Sequence, residues 1–329
     1  MTDDVLVRID NLSKLFPVSA SIFSRSDVYI HAVSGLNLTI DRGESVGLVG
    51  ESGCGKTTTG KLLTRLIDPT EGHIQLHTEE GVVDIASLRG KELKVFRRRV
   101  QMIFQDPYES MNPRLSIYDT VAEPLDVQGI GSIVEREERV AKLLETVDLA
   151  PASSFMFRYP HELSGGQRQR VAIARALVIE PDFVVADEPT SMLDVSVRTG
   201  VMHLMQDLAQ HLEVTYLYIT HDLAVARYMC DKIAVMYLGK LVELAETEEV
   251  LQNPLHPYTQ ALLSAVPIPD PTMKRVEVKI KGGVSKPINP IPRCRFYERC
   301  LISQSICEEN DHPPVEDKGG GHFVACYVV

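Results

Sequence analysis

The sequence predicts an α/β fold, and three observations support this prediction. An apolar run, ESVGLVG, leads directly into a glycine-rich turn, and the helical spacing of KTTTGKLLTRLI follows. Further strands are predicted at FVVAD, TYLYIT and KIAVMYLGK, with the helical segment VSVRTGVMHLMQDLAQHL between the first two. A strand, a glycine loop and a helix in succession, followed by alternating strands and helices, are typical of α/β nucleotide-binding cores.

Other regions flank and interrupt this core. Alternation with period two in VLVRID and AVSGLNLTI predicts an N-terminal antiparallel β subdomain. A charged helical stretch (IVEREERVAKLLETVDL) indicates an inserted α-helical subdomain at about 107–180. Eight prolines between 267 and 314 mark a loop-rich, cysteine-rich C-terminal extension over 267–329, separate from a domain over 1–266.

Composition excludes several classes of protein. The chain has 329 residues, 44% hydrophobic and 24% charged, which suits a globular core and not a wholly disordered chain. A net charge of −11 argues against a partner nucleic acid held through its phosphates. No stretch approaches the roughly 18 apolar residues of a membrane span. The start, MTDDVLVRID, lacks the basic region of a signal peptide, so we expect a cytosolic protein.

The glycine-rich turn matches a phosphate-binding motif. Its letters, GESGCGKT, fit the pattern G-x-x-x-x-G-K-[ST], whose glycines let backbone N–H groups point at phosphate oxygens. We expect Lys56 to reach the β- and γ-phosphates and the Thr57 hydroxyl to coordinate Mg²⁺. A glycine turn without a ligand is the alternative. The residues expected to contact a nucleotide here are Gly50, Ser52, Gly53, Cys54, Gly55, Lys56, Thr57 and Thr58.

Two acidic residues and a histidine follow later strands. FVVADEP places Asp187 and Glu188 at the end of an apolar strand, where Asp187 would hold Mg²⁺ through water. Glu188 would polarise the attacking water as a general base. The alternative is that Asp187 and Glu188 are simply acidic residues at the end of a strand. The phosphate-binding motif earlier in the chain makes this alternative less favoured. The string YITHD places His221 at the tip of the next strand, where it could touch a γ-phosphate.

A second glycine segment, LSGGQ, is the motif that distinguishes between families of P-loop proteins. Its small residues stand where a helix should begin, so free N–H groups can approach a phosphate closely. With the P-loop, Gln105 after an apolar strand, DEP, SMLD and His221 in this order, the chain resembles the nucleotide-binding subunit of an ABC transporter. The resemblance covers roughly 5–266 and implies a RecA-like P-loop NTPase core that binds and hydrolyses ATP.

The resemblance also implies roles for individual residues. Two subunits sandwich two nucleotides, so LSGGQ contacts the ATP that a partner subunit holds, through Ser164, Gly165, Gly166 and Gln167. Asp194 is expected at the same interface between the two subunits. Gln105 is expected to contact Mg²⁺ or water and, with Lys56, Glu188 and His221, to act in catalysis. An aromatic ring stacks on adenine in this family; Phe16 is the first candidate and Tyr29 the second, although Phe16 could instead pack in the core.

Two strings narrow the family further. DPYESMNPR and NPLHPYTQALLSAVP resemble the ATPases of oligopeptide, dipeptide and nickel importers. This implies a subunit at the cytoplasmic face of the membrane that powers peptide uptake. Its partners would be a second homologous ATPase subunit or a second copy, two transmembrane permease subunits and, indirectly, a solute-binding protein. The alternatives are an importer of nickel or oligosaccharides, a soluble ABC ATPase, an exporter subunit, and a P-loop kinase or GTPase.

Four cysteines crowd the last tenth of the chain. A reducing cytosol disfavours disulfides, so such a cluster indicates metal binding. The spacings are wider than the C-x-x-C knuckles of zinc sites and suit a larger cubane cluster. The segment resembles the extension of dipeptide-importer ATPases that carries a 4Fe–4S cluster, with zinc and unliganded thiols as alternatives. The implied ligands are Cys294, Cys300, Cys307 and Cys326.

Overall fold

A computed structural model of the chain describes residues 4–18, 28–265, 280–283 and 286–329. The chain forms two compact units. The first consists of Met1–Ile40, Ser45–Ala86 and Ile219–Val329, and the second of Asp41–Glu44 and Ser87–Tyr218. The predicted domain boundary between residues 266 and 267 lies outside the described residues.

The strands of the described residues are, in chain order, β1 (Val5–Pro17), β2 (Tyr29–Asp41), β3 (Ser45–Val49), β4 (Glu71–Thr78), β5 (Gly81–Asp84), β6 (Val100–Ile103), β7 (Phe183–Asp187), β8 (Thr215–Thr220), β9 (Lys232–Tyr237), β10 (Lys240–Glu246), β11 (Glu316–Asp317) and β12 (Phe323–Val324). The α-helices are α1 (Lys56–Leu63), α2 (Gly90–Arg99), α3 (Ile117–Gln128), α4 (Ile133–Thr146), α5 (Gly165–Leu177), α6 (Val195–Leu212), α7 (Leu223–Met229), α8 (Thr247–Gln252), α9 (Pro257–Ala265) and α10 (Ser305–Glu309). None of these helices is long and apolar enough to cross a membrane.

The first unit contains the predicted N-terminal antiparallel sheet. Its strand order is β2-β1-β4-β5, and β4 pairs antiparallel with both β1 and β5. A second set of strands lies in the order β11-β12-β10-β9-β3, in which β3 and β9 are parallel. Every residue of β3 after Ser45 is buried, which explains why this strand reads as an unbroken apolar run.

The second unit combines parallel strands with the predicted inserted helices. Strands β8, β7 and β6 lie in that order, and β6 pairs parallel with β7. Helix α3 packs against both α4 and α5. Each of these three helices begins with a serine N-cap in a capping box, which satisfies N–H groups that the first turn leaves free.

The C-terminal extension packs into the first unit. Strand β12 pairs antiparallel with β10, so that Phe323 lies opposite Leu244. Phe296 is buried in one hydrophobic cluster with Tyr237 and Tyr258, and the T-shaped Tyr237–Phe296 pair has ring centroids 5.2 Å apart. The extension therefore shares a core with the strands before it, although its sequence indicates mostly loops.

Candidate functional site

The phosphate-loop motif lies between β3 and α1, as its sequence predicts. A Cβ atom on Gly50 would lie 2.3 Å from the Met236 carbonyl oxygen, and one on Gly55 would lie 2.2 Å from the Ala32 carbonyl oxygen. Real Cβ atoms do not approach other atoms so closely. Gly55 also has φ +114, a conformation that residues with a side chain rarely adopt. Glycine is thus required at both positions by the backbone that surrounds the loop.

Lys56 is buried inside this loop. Its side-chain Nζ donates hydrogen bonds to the carbonyl oxygens of Gly50, at 2.6 Å, and Glu51, at 3.1 Å. Thr57, in the first turn of α1, is exposed. A buried cation, a glycine backbone without side chains and a helix N-terminus together match the chemistry of a phosphate ligand, and a threonine hydroxyl is a suitable Mg²⁺ ligand. The residues present therefore fit Mg-ATP.

The remaining loop residues differ in their exposure. Ser52 and Gly53 are exposed and Thr58 is half-buried. Cys54 is buried, and its Sγ lies 3.9 Å from the Lys56 Nζ. Burial raises the pKa of the Cys54 thiol above its ordinary value, so the thiol is neutral at physiological pH.

Two predicted catalytic residues of the second unit lie together. All residues of β7 are buried, and Asp187 at its end is only 4% exposed. The Gln105 side-chain Nε2 donates a hydrogen bond of 3.2 Å to the Glu188 Oε2. Glu188 has φ +44, a sparsely populated conformation for a residue with a side chain, and such strain is concentrated at functional sites.

The LSGGQ segment also lies in the second unit, where it begins α5. The Ser164 hydroxyl accepts a hydrogen bond from the Gln167 N–H, and the Gln167 Oε1 accepts one from the Ser164 N–H. A Cβ atom on Gly166 would lie 2.4 Å from the Val197 Cγ1, whereas one on Gly165 would meet nothing closer than 3.7 Å. A side chain at Gly166 would thus collide with Val197 of α6, whereas Gly165 leaves the helix tip open.

The other predicted residues lie at exposed positions. Asp194 is the exposed N-cap of α6, and its side chain makes no capping hydrogen bond. His221 is exposed and directly follows β8. The Phe16 ring is 36% exposed, with the Lys14 Nζ 5.1 Å from its centroid, so it is not part of the core; Tyr29 is 38% exposed. Their roles at a nucleotide stay predictions.

The four C-terminal cysteines are free thiols. Cys294, Cys300 and Cys307 are buried and Cys326 is half-buried, and the Cys294 N–H donates a 2.9 Å hydrogen bond to the Cys307 carbonyl oxygen. Burial, together with the three neighbouring thiols, raises the pKa of Cys294 to about 11. Among the described residues, no group of three or more histidine, cysteine or acidic side chains is arranged to hold a metal ion. The structure therefore gives no support to a 4Fe–4S cluster or zinc.

One set of contacts at the phosphate loop was not expected from the sequence. Glu51, the first variable residue of the loop, contacts Arg299 through its side chain and Tyr258 through its backbone N–H. These partners are separated from it by more than 200 residues, so no local pattern could have revealed them.

Comparisons with known proteins agree with this arrangement. The model of the family described as "ABC transporter" matches residues 33–191, and that described as "Oligopeptide/dipeptide transporter, C-terminal region" matches residues 242–307. The oligopeptide transport ATP-binding protein AppF of Bacillus subtilis is 43% identical over 99% of this chain and 98% of its own. The dipeptide transport ATP-binding protein DppF of Haemophilus influenzae is 42% identical over the whole of both chains.

A solved structure shows the same fold. A dimeric post-hydrolysis state of an ATP-binding cassette bound to ADP and Pi superposes with a TM-score of 0.64 and 31% sequence identity, covering 74% of this chain and 99% of its own. The relatives span the full length of the chain, including the cysteine-rich segment. The chain therefore belongs to the ABC transporter family, as an ABC ATPase of the oligopeptide/dipeptide transporter group.

Proposed function

We propose that this protein is the ATP-hydrolysing subunit of an importer for dipeptides, oligopeptides or similar small solutes. The observation that carries the proposal is the Glu188 carboxylate, held by Gln105 at the end of a buried strand within an ABC cassette. The printed names of the relatives, which describe oligopeptide and dipeptide transport, support peptides as the cargo. Nickel and oligosaccharides remain the alternative cargoes of the same group.

Each motif has a distinct role in this proposal. Lys56 and the glycine backbone bind the phosphates of ATP, while Phe16 stacks on the adenine. Glu188 accepts a proton from the attacking water as the general base, and His221 steadies the γ-phosphate. Gln105 orients Glu188 through its side-chain amide. These roles follow from the motif order, with the burial of Lys56 and the Gln105–Glu188 hydrogen bond as structural support.

Magnesium completes the substrate. Thr57, Gln105 and Asp187 would hold Mg²⁺, which neutralises charge on the phosphates. Asp187 is suited to this role because the buried strand β7 fixes its backbone, and carboxylate oxygens are the ligands that Mg²⁺ prefers.

The proposal includes a pair of subunits. Ser164, Gly165, Gly166 and Gln167 would contact the ATP held by a second homologous subunit or a second copy, with Asp194 beside them. ATP binding would draw the two subunits together, and hydrolysis would let them part. That cycle would drive two transmembrane permease subunits at the cytoplasmic face of the membrane. The open tip at Gly165 and the dimeric state of the similar cassette support this arrangement.

The experiment that tests the proposal is Glu188→Gln. The variant keeps the shape of the side chain but removes the base, so we expect ATP-dependent dimerisation to persist while turnover falls at least about a hundredfold. The matched control is Glu213→Gln, since Glu213 also has a left-handed backbone (φ +51) but follows α6 and belongs to none of the motifs. Wild-type turnover in Glu188→Gln, or an equal loss in Glu213→Gln, would overturn the base assignment.

The predicted extension over 267–329 and its 4Fe–4S cluster belong to the same proposal. The support is chemical: four thiols lie in one segment, three of them in one hydrophobic cluster. The arrangement of the described side chains does not support it. Iron and sulfide analysis of anaerobically purified protein decides the matter, since a cluster requires about four iron atoms per chain and unliganded thiols require none. Zinc without iron would establish the alternative metal.

A further inference from the structure

The phosphate loop contains an acidic residue at its first variable position. Glu51 follows Gly50 directly, and a carboxylate there is unfavourable in a loop that binds a polyanion. Its carboxylate forms a bidentate ion pair with Arg299, with 2.7 Å between Nη1 and Oε2 and 3.0 Å between Nη2 and Oε1. Such paired hydrogen bonds fix both the charge and the orientation of a carboxylate.

Arg299 is well placed for this contact. Its side chain is 6% exposed, whereas that of Glu51 is 25% exposed, so the pair lies largely out of solvent. The guanidinium also lies over the Tyr237 ring, 5.6 Å from its centroid. Arg299 directly precedes Cys300, and both belong to the cysteine-rich segment, whose Phe296 packs against Tyr237.

The backbone of Glu51 is held as well. Its N–H donates a 2.8 Å hydrogen bond to the hydroxyl of Tyr258, a buried residue of α9. Its carbonyl oxygen accepts a hydrogen bond from the Lys56 side chain. Residue 51 is thus held by the C-terminal region on one side and by the phosphate-binding lysine on the other.

We propose that Arg299 is a positioning residue for ATP binding, which neutralises and orients Glu51 so that the phosphate loop accepts a polyanion. The cysteine-rich segment would then contribute directly to nucleotide affinity. This inference rests on the proposed function, because it assumes that the loop of Lys56 binds ATP. A purely structural Arg299 would only anchor the segment, and its loss would not depend on the charge of the nucleotide.

The test measures binding of ATP, ADP and adenosine to the full-length protein by fluorescence or calorimetry. We expect Arg299→Gln to weaken the affinity for ATP about tenfold, since an unpaired carboxylate then remains in the loop. The affinity for ADP should fall less, and that for adenosine should not change. Adding Glu51→Gln should restore ATP affinity to within about twofold, because the repelling charge is gone. Arg299→Lys, which keeps the charge but not the bidentate geometry, should fall between wild type and Arg299→Gln.

Two controls separate the possible failures. Arg293→Gln removes another arginine of the same segment, which pairs with Glu298, and should leave ATP affinity unchanged. Lys56→Ala should lose ATP binding. If wild-type protein binds no ATP, the proposed function fails; if it does and Arg299→Gln binds ATP equally well, only the inference fails.

The single variant Glu51→Gln keeps the inference testable even if Arg299→Gln does not fold. It should bind ATP at least as tightly as wild type, because Arg299 then adds an uncompensated positive charge. Weaker ATP binding by Glu51→Gln, or a loss in Arg299→Gln that is equal for all three ligands and not rescued by the second substitution, would overturn the proposal.

Discussion

The two glycine segments that we propose to contact phosphate are built in opposite ways. In the phosphate loop of the first unit, Glu51 is held by Tyr258 and Arg299, which lie 207 and 248 positions later in the chain. In the LSGGQ segment of the second unit, Ser164 and Gln167 cap each other across three positions. The first segment therefore depends on long-range contacts, and the second largely on itself.

The glycines of the two segments also differ in which atoms a side chain at their position would meet. At Gly55 the obstacle to a side chain is a backbone carbonyl, that of Ala32, which cannot move without displacing β2. At Gly166 it is a side-chain methyl group of the exposed residue Val197, which is easier to displace than a backbone carbonyl. The phosphate loop should accordingly tolerate far less change than the LSGGQ helix.

Among these substitutions, Gly55→Ala should weaken ATP binding the most. The added methyl group would lie 2.2 Å from a carbonyl oxygen, so the loop must shift, and we expect ATP affinity to fall about a hundredfold. The matched control is Gly81→Ala in β5, because Gly81 has a similar φ of +128 but open space around it. Gly81→Ala introduces the same kind of backbone strain without a steric overlap, so its ATP affinity should stay within about twofold of wild type.

Equilibrium binding of a fluorescent ATP analogue, with a thermal unfolding curve for each variant, checks this prediction. Unchanged binding in Gly55→Ala would show that the loop adapts as freely as the LSGGQ helix does. The proposed difference between the phosphate loop, which is held by long-range contacts, and the LSGGQ segment, which caps itself, would then be wrong.

Elements with a local signal could be predicted from the sequence. Strand β7 matches the predicted FVVAD, β8 matches TYLYIT and α6 matches VSVRTGVMHLMQDLAQHL residue for residue. Helix α5 begins directly after Ser164, as expected from its serine and glycines. Periodicity and capping involve residues only a few positions apart, so they can be recognised in a single sequence.

Features with no local signal were missed. Strands β11 and β12 have two residues each, too few to show a period, and they join the sheet only because β10 offers an edge. The Glu51–Arg299 pair is set by tertiary packing alone. The prediction for the cysteines depends on their spacing and on a resemblance, and neither determines whether four thiols converge on a metal.

A milder substitution, Ser164→Ala, tests whether the LSGGQ serine does more than cap its own helix. Ser132 provides a matched control, because it caps α4 with the same pair of reciprocal hydrogen bonds, made there with Glu135. Each substitution removes one cap and should cost about 1 kcal/mol of unfolding free energy, measured by thermal or urea unfolding.

The two variants should differ once ATP is present. In the Glu188→Gln background, Ser164→Ala should weaken ATP-dependent dimerisation about tenfold, since a hydrogen bond to a charged phosphate is lost, whereas Ser132→Ala should leave it unchanged. Size-exclusion chromatography with ATP distinguishes them. Equal dimerisation by both variants would mean that Ser164 serves only its own helix. Because its cap is self-contained, any difference beyond the shared loss of stability must come from a group outside the subunit that carries it.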